Sequence, residues 1–340
     1  MEKKDILKIG IVMILLIFVI IVFNAIDKYE ENIINAVVVN EKAKVYGKAK
    51  ENTKVKEELE AGENVSILRE ITDKENKSWY EIKYENRKGY VLSEDVDYYK
   101  FDTDEYVLMS DVSKFNIQYE TIKSTKDYER FLVANDINYA YIRAGGRGYG
   151  EKGVFYEDPE YQKFIDACDY LGVPYGFYFI DEAINLEEIE EEKEWILDFI
   201  KKNATKNNVL PFAIDIEKFE AKARTDDIWD KRGELVQELI NRLDENGVKT
   251  IVYSNAKKAS EYLSEMDTSF WLAYYVKSNE LPSKWIDEVD IEDGLKEKLT
   301  DKTIAWQFSD KGIKDIVKEK VDMNLVKNEF FKKFIDKNSD

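Results

Sequence analysis

The stretch Leu210-Pro211-Phe212-Ala213-Ile214-Asp215-Ile216-Glu217 carries an apolar run into two acids one residue apart. Read as a strand, its side chains alternate: Ala213, Asp215 and Glu217 share one face, and Phe212, Ile214 and Ile216 take the other. Similar apolar runs lie at 107–109, 139–142, 175–180, 250–253, 270–275 and 303–308, with helical segments between most of them. One such segment opens at Asp158-Pro159, read as a cap followed by proline at the first helical position. It presents Tyr161, Phe164, Ile165, Cys168 and Leu171 on one face and ends at Gly172. Another aligns Leu235, Val236, Leu239, Ile240 and Leu243 and closes at Gly247. Alternating β and α units of this length predict an α/β fold, either a parallel barrel or a doubly wound sheet. In a parallel barrel the reactive groups gather at the C-terminal strand ends. Three ends carry acids: Asp111, the Asp215/Glu217 pair, and Asp322 after a short segment ending in Val321.

The 340-residue chain has room for two domains at about 150 residues each. Its 44% apolar and 13% aromatic content supplies a core. Acids number 70 and bases 51, a formal charge of −19 that repels polyphosphate and argues against nucleic-acid binding. Histidine is absent, which removes Ser-His-Asp and Cys-His catalysis and every imidazole-dependent zinc site. The single cysteine, Cys168, excludes an intrachain disulfide and reads as a core residue. Chemistry falls to carboxylates, hydroxyls, amides and rings, with no metal and no organic cofactor. Two neighbouring carboxyls repel, so one pKa rises while the other group stays ionised. A glycosidase needs that division between acid and carboxylate. The spacing alone is a weak signal, since Asp290-Ile291-Glu292 repeats it in a charge-dense stretch that reads as a solvated loop.

Residues 9–23 are unbroken apolar sequence, and the flanks extend the run to membrane-spanning length through residue 26. Lys3, Lys4 and Lys8 precede it, whereas Asp27, Glu30 and Glu31 follow. The positive-inside rule places the N-terminus in the cytoplasm and the remainder outside. A cleaved signal peptide is the alternative. The long apolar core and the lack of a small-x-small site after Phe23 favour a cytoplasmic stub and uncleaved transmembrane helix over 1–27. The chain is thus expected in the cell membrane as a single-pass protein, engaging lipid through residues 9–26. From 36 to 99 short β-rich stretches separated by polar turns predict a small all-β barrel. Residues 42–60, rich in lysine and glutamate, read as a solvated arm.

Within 36–99, Gly62-x-x-Val65, Trp79-Tyr80-x-Ile82 and Gly89-Tyr90-Val91 resemble a bacterial SH3 domain. The resemblance implies either binding of wall peptide or a spacer. Further on, Asp111-Val112-Ser113-x-x-Asn116, Ile142-Arg143-Ala144, Gly176-Phe177-Tyr178-Phe179, Ile214-Asp215-Ile216-Glu217 and Val252-Tyr253-Ser254 occur in order. Trp271-Leu272-Ala273-x-Tyr275, Trp306-Gln307 and Val321-Asp322-x-Asn324 complete the series. Together they resemble the glycoside hydrolase family 25 lysozymes, within a domain at 107–335. That resemblance implies an irregular, flattened β/α barrel cleaving the β-1,4 bond between N-acetylmuramic acid and N-acetylglucosamine in peptidoglycan glycan strands. It makes Glu217 the proton donor, Asp215 the ionised partner carboxylate, and Asp111 and Asp322 the completion of the acidic cluster. Tyr178, Tyr253 and Tyr275 become substrate contacts, with Trp271 beside them. Arg143 orients a carboxylate or sugar hydroxyl, or else forms an ordinary salt bridge.

The sequence departs from the family pattern at Met109-Ser110, Phe115 and Phe179, and lacks a glycine from 316 to 320, but no carboxylate is lost. Gly145, Gly146, Gly148 and Gly150 lack the Lys-Ser/Thr ending of a phosphate loop and read as a flexible loop over the cleft. The resulting expectation is a membrane-anchored, outward-facing muramidase with an SH3-like module between anchor and barrel. A non-catalytic wall-polysaccharide-binding protein on the same barrel is the alternative. A carboxylate-metal phosphodiesterase is a third reading, separable by chelation.

Overall fold

The computed structural model describes residues 33–118, 122–149, 153–217, 228–276, 280–288, 299–313 and 320–336. The apolar segment 9–26, the triplet Asp290-Ile291-Glu292 and Gly150 lie outside the described residues. Among the described residues no helix is long and apolar enough to cross a membrane. The chain divides into two units, Met1–Tyr98 and Tyr99–Asp340.

The described residues of the first unit are built on β-strands. Its strands are β1 (Ile34–Val38), β2 (Lys42–Tyr46), β3 (Val55–Glu60), β4 (Asn64–Thr72), β5 (Ser78–Tyr84), β6 (Arg87–Leu92) and β7 (Val96–Asp97). They form an antiparallel sheet ordered β3-β2-β6-β5-β4-β1-β7. The expected arm at 42–60 is instead the β2–β3 pair. Its charges alternate with Ala43, Val45 and Leu59, which turn inward and are buried, while Lys42 and Lys44 point to solvent. Trp79 is fully buried, edge-on to Tyr46 at 5.5 Å, and its indole donates to Asp73 Oδ2 at 2.9 Å. At Gly89 the sheet leaves no room for a side chain, since an added Cβ would sit 2.2 Å from Val45 Cγ1.

The second unit contains β8 (Tyr106–Val112), β9 (Ile137–Tyr149), β10 (Val154–Glu157), β11 (Tyr175–Ile180), β12 (Phe212–Ile216), β13 (Thr250–Asn255), β14 (Phe270–Ala273), β15 (Thr303–Ser309) and β16 (Asp322–Lys327). Eight of them close a ring, β9-β11-β12-β13-β14-β15-β16-β8 and back to β9, while β10 hangs on β9 as a hairpin. All neighbours in the ring are parallel except β16, which runs antiparallel to both β15 and β8. Helices α1 (Thr125–Ala134), α2 (Tyr161–Leu171), α3 (Leu186–Asn203), α4 (Trp229–Glu245) and α5 (Asn328–Asp336) bury their apolar faces. Ser124 caps α1 through the Asp127 N–H and Asn185 caps α3 through the Glu188 N–H. The α4 stripe at Leu235, Val236, Leu239, Ile240 and Leu243 is buried, and so is Cys168 on α2.

Four local expectations are corrected. Pro159 is not the first helical position, because α2 starts at Tyr161; Asp158, fully buried, accepts the Glu160 N–H in the turn before it through Oδ1, while its Oδ2 is bonded elsewhere. Gly145, Gly146 and Gly148 belong to β9 rather than to a loop, with the β10 backbone packed on Gly145, Ile180 and the Tyr156 hydroxyl on Gly146, and the Glu182 carboxyl on Gly148. A Cβ on Gly145 would lie 2.1 Å from the Tyr156 carbonyl oxygen. The strand at 270–275 ends at Ala273. Asp322 does not end a strand but opens β16. Because β16 is antiparallel, its first residue reaches the rim where the parallel strands finish, directly opposite Asp111 on β8.

Candidate active site

Alternation along short strands aims the inward residues at the barrel axis. On β12, Ala213 packs into the interior with Met109, Tyr139, Tyr141 and Ile251, and Asp215 follows it two residues later. Glu217, just past the strand end, is exposed. Asp215 lies beside Tyr253 on β13 and Ile180 on β11. These positions open onto a cleft of about 270 Å³. All nine residues singled out from the sequence line it: Asp111, Asp215, Glu217 and Asp322, the rings of Tyr178, Tyr253, Trp271 and Tyr275, and Arg143.

Burial governs the acids. Asp111, 5% exposed, is pushed up to about 6 by burial, although Asn324 and Gln307 hydrogen bonds hold its carboxylate down. Burial, then the charges of Glu217 and Asp111, push Asp215 well up. Its Oδ1 is buried with no hydrogen-bond partner among the described residues. Burial and the neighbouring acids, Asp111 first, raise half-buried Asp322 in the same sense. Burial and the neighbouring acids thus work against the ionised Asp215 expected from the sequence. The reason is three-dimensional: the nearby cation, Arg143, is already engaged. Its Nε donates to Asp158 Oδ2 at 2.7 Å, with Nη2 2.6 Å from the same oxygen, and both side chains are buried.

Asp158 was not expected here. Besides Arg143 it accepts the Lys114 N–H at 2.9 Å and, through its other oxygen, the Glu160 N–H at 3.0 Å. It thus ties the segment after β8 to β9. Phe115 lies over the Arg143 guanidinium, 4.9 Å from ring centre to Cζ, and is 41% exposed at the cleft. Trp271 is 2% exposed and packs edge-on to Tyr253 at 4.7 Å, so it forms floor rather than a stacking platform. Tyr275, 48% exposed, is the open ring. Gln307 and Asn324 also escaped sequence reading as site residues. The available signal was an amide inside a run as apolar as Ile304-Ala305-Trp306-Gln307-Phe308, where an unpaired polar group is costly.

Four carboxyls in one cleft, set among rings able to lie against sugar faces, equip the barrel for acid–base work on glycosidic bonds. The chain belongs to glycosyl hydrolases family 25, which it matches over residues 110–316, and is a glycoside hydrolase of the lysozyme type. Among solved structures it is similar to the spore cortex lytic enzyme SleM of Clostridium perfringens. The identity is 18% and the TM-score 0.47, with 67% of this chain and 69% of that one covered. It is similar also to the catalytic domain of endolysin ply40 from bacteriophage P40 of Listeria monocytogenes, at 18% identity and TM-score 0.48, covering 68% and 98%. For the bacterial lysozyme from Streptomyces coelicolor the values are 18% and 0.43, covering 66% and 92%. No curated protein sequence matches the chain.

Proposed function

We propose that this chain is an N-acetylmuramidase that cleaves the β-1,4 bond between N-acetylmuramic acid and N-acetylglucosamine in peptidoglycan. The observation that carries the reading is the convergence of Asp111, Asp215, Glu217 and Asp322 on one cleft. Glu217, at the exposed edge, protonates the leaving oxygen. Asp215 lies deeper, and its unpartnered Oδ1 is matched to a substrate donor such as the acetamido N–H. A donor arriving there favours the ionised form, so binding charges Asp215 where a cationic centre or an acetamido-assisted intermediate develops. The four acids titrate as a set, and their protons belong to the cluster rather than to single residues. No step needs a metal or an organic cofactor.

The same reading makes residues 9–26 a single-pass anchor, with the N-terminus cytoplasmic and the barrel facing the wall. The N-terminal unit is then an SH3-like module that binds wall peptide or spaces the barrel from the membrane. The test is digestion of purified peptidoglycan by the full-length chain, followed by borohydride reduction and mass spectrometry. New reducing ends on muramic acid support the proposal. Ends on glucosamine, or no release, overturn it.

A further inference from the structure

The amides of Gln307 and Asn324 have no role in the chemistry just described, yet they are 2% and 0% exposed and face each other across β15 and β16. Their orientation follows from one end of a chain of hydrogen bonds. The Trp271 indole N–H can only donate, and it lies 2.7 Å from Asn324 Oδ1. Asn324 Nδ2 is thereby turned to two acceptors, the Met109 carbonyl at 3.1 Å and Asp111 Oδ2 at 2.8 Å. Gln307 Nε2 donates to that same Asp111 oxygen at 3.1 Å. Gln307 Oε1 then accepts from the Tyr253 hydroxyl at 2.8 Å and the Tyr275 hydroxyl at 2.9 Å. A flipped Gln307 would set its carbonyl against a carboxylate oxygen. Donation thus starts at both ends, the indole and the two tyrosine hydroxyls, and converges on Asp111 Oδ2.

We propose that Gln307 and Asn324 are positioning residues that hold Asp111 as the ionised member of the four acids and leave the Tyr253 and Tyr275 oxygens as acceptors toward the sugar. The second half rests on the glycosidase reading; the first does not. With both hydroxyl protons engaged by Gln307, the glycan group that meets these tyrosines is a hydrogen-bond donor. The fixed charge on Asp111 sends the protons of the cluster to its neighbours. Those neighbours surround it: Asp322 opposite on β16, Asp215 and Glu217 at the end of β12, Tyr178 on β11, Tyr253 on β13, Tyr275 after β14 and Tyr128 on α1. Arg143 also stands near Asp215, but Asp158 engages it.

The test uses the full-length chain with carbon-13 in its aspartate carboxyls, the Asp111 signal being assigned by its loss in Asp111→Asn. In the wild type Asp111 is expected to titrate at lower pH than Asp215 and Asp322. In Gln307→Leu its midpoint should rise by a pH unit or more. Gln307→Glu keeps volume and the tyrosine bonds, but the introduced carboxyl must hold a proton to donate to Asp111. Muropeptide release by that variant should therefore survive at acid pH, with the basic limb of its profile at least one unit lower than in the wild type. An unmoved Asp111 midpoint in Gln307→Leu, or a Gln307→Glu profile that superimposes on the wild type, overturns the proposal. If Gln307→Leu does not fold, the Gln307→Glu profile and titration decide alone. A wild type that releases no muropeptides sinks the glycosidase reading and leaves the carbon-13 result to judge the network.

Discussion

Replacing Asp215 by asparagine should stabilise the protein in proportion to pH while crippling turnover. Asp215 is buried among like charges, and its carboxyl sits well above the ordinary range in the fold. In the unfolded chain it titrates near its usual value of about 3.9. Below that pH both states hold the proton and nothing is lost. As pH rises, the unfolded state releases the proton and the native state keeps it. Wild-type stability then falls by about 1.4 kcal/mol per pH unit until the native carboxyl ionises. With the native carboxyl held well above its ordinary range, the wild type loses stability as pH rises from 4 toward 6, at no more than about 1.4 kcal/mol per pH unit, and the asparagine variant does not. For a unit spanning Tyr99–Asp340 each kcal/mol corresponds to about 2–4 °C, so the melting-temperature gap is expected to widen from pH 4 to pH 6. Calorimetry of both proteins at the two pH values measures it. An amide has its own burial cost, but that cost does not vary with pH, so the widening is diagnostic. A gap equal at pH 4 and pH 6, or one that narrows, would refute the reasoning.

Glu217→Gln should fold normally by circular dichroism and lose roughly 10²–10⁴ in muropeptide release, the worth of a general acid; wild-type turnover would remove Glu217 from the role. Asp158→Ala strands the buried Arg143 charge and should cost about 3–5 kcal/mol, readable as a large drop in melting temperature; a shift within error would show the pair to be dispensable. Activity should be unchanged by EDTA, whereas loss restored by a divalent ion would bring the carboxylate-metal reading forward. Protease added to intact protoplasts should degrade the barrel, and full protection would reverse the proposed topology.

Most of the barrel could be read because seven of its strands are runs whose apolar residues continue for several positions, a pattern buried parallel strands impose. The carboxyls at strand ends followed from the same reading. What escaped depended on partners far away in sequence. β16 reads as mixed and polar, since Asn324 breaks it; only the Trp271 and Asp111 contacts make that amide an interior residue. The glycines of β9 look like a loop until Tyr156 is seen against Gly145 and Gly146 and Glu182 against Gly148. Asp-Pro at 158 has the local form of a helix cap and does accept the Glu160 N–H through Oδ1, but its Oδ2 serves Arg143 and the Lys114 N–H, partners that lie far away in sequence. Lysine and glutamate hid β2 and β3, although the alternation of charge with Ala43 and Val45 was there to be read. Charge state was least accessible. Which acid keeps its proton depends on depth in the barrel and on Arg143 being occupied, and spacing along β12 reports neither.

The antiparallel β16 makes the last strand of the ring the keystone of the acidic cleft. Asn324 meets Asp111 across 213 residues of chain, and Asp322 stands opposite Asp111 in the seam that β16 closes. During synthesis, β8 emerges early and waits with an unclosed edge until nearly the whole unit has followed. Contacts of such long sequence separation form late and slowly. A chain halted before residue 322 therefore lacks one acid, the amide that secures another, and the strand that shuts the barrel. On the proposed reading, hydrolytic competence waits for β16 to be made, and a product terminated before it is expected to be inert.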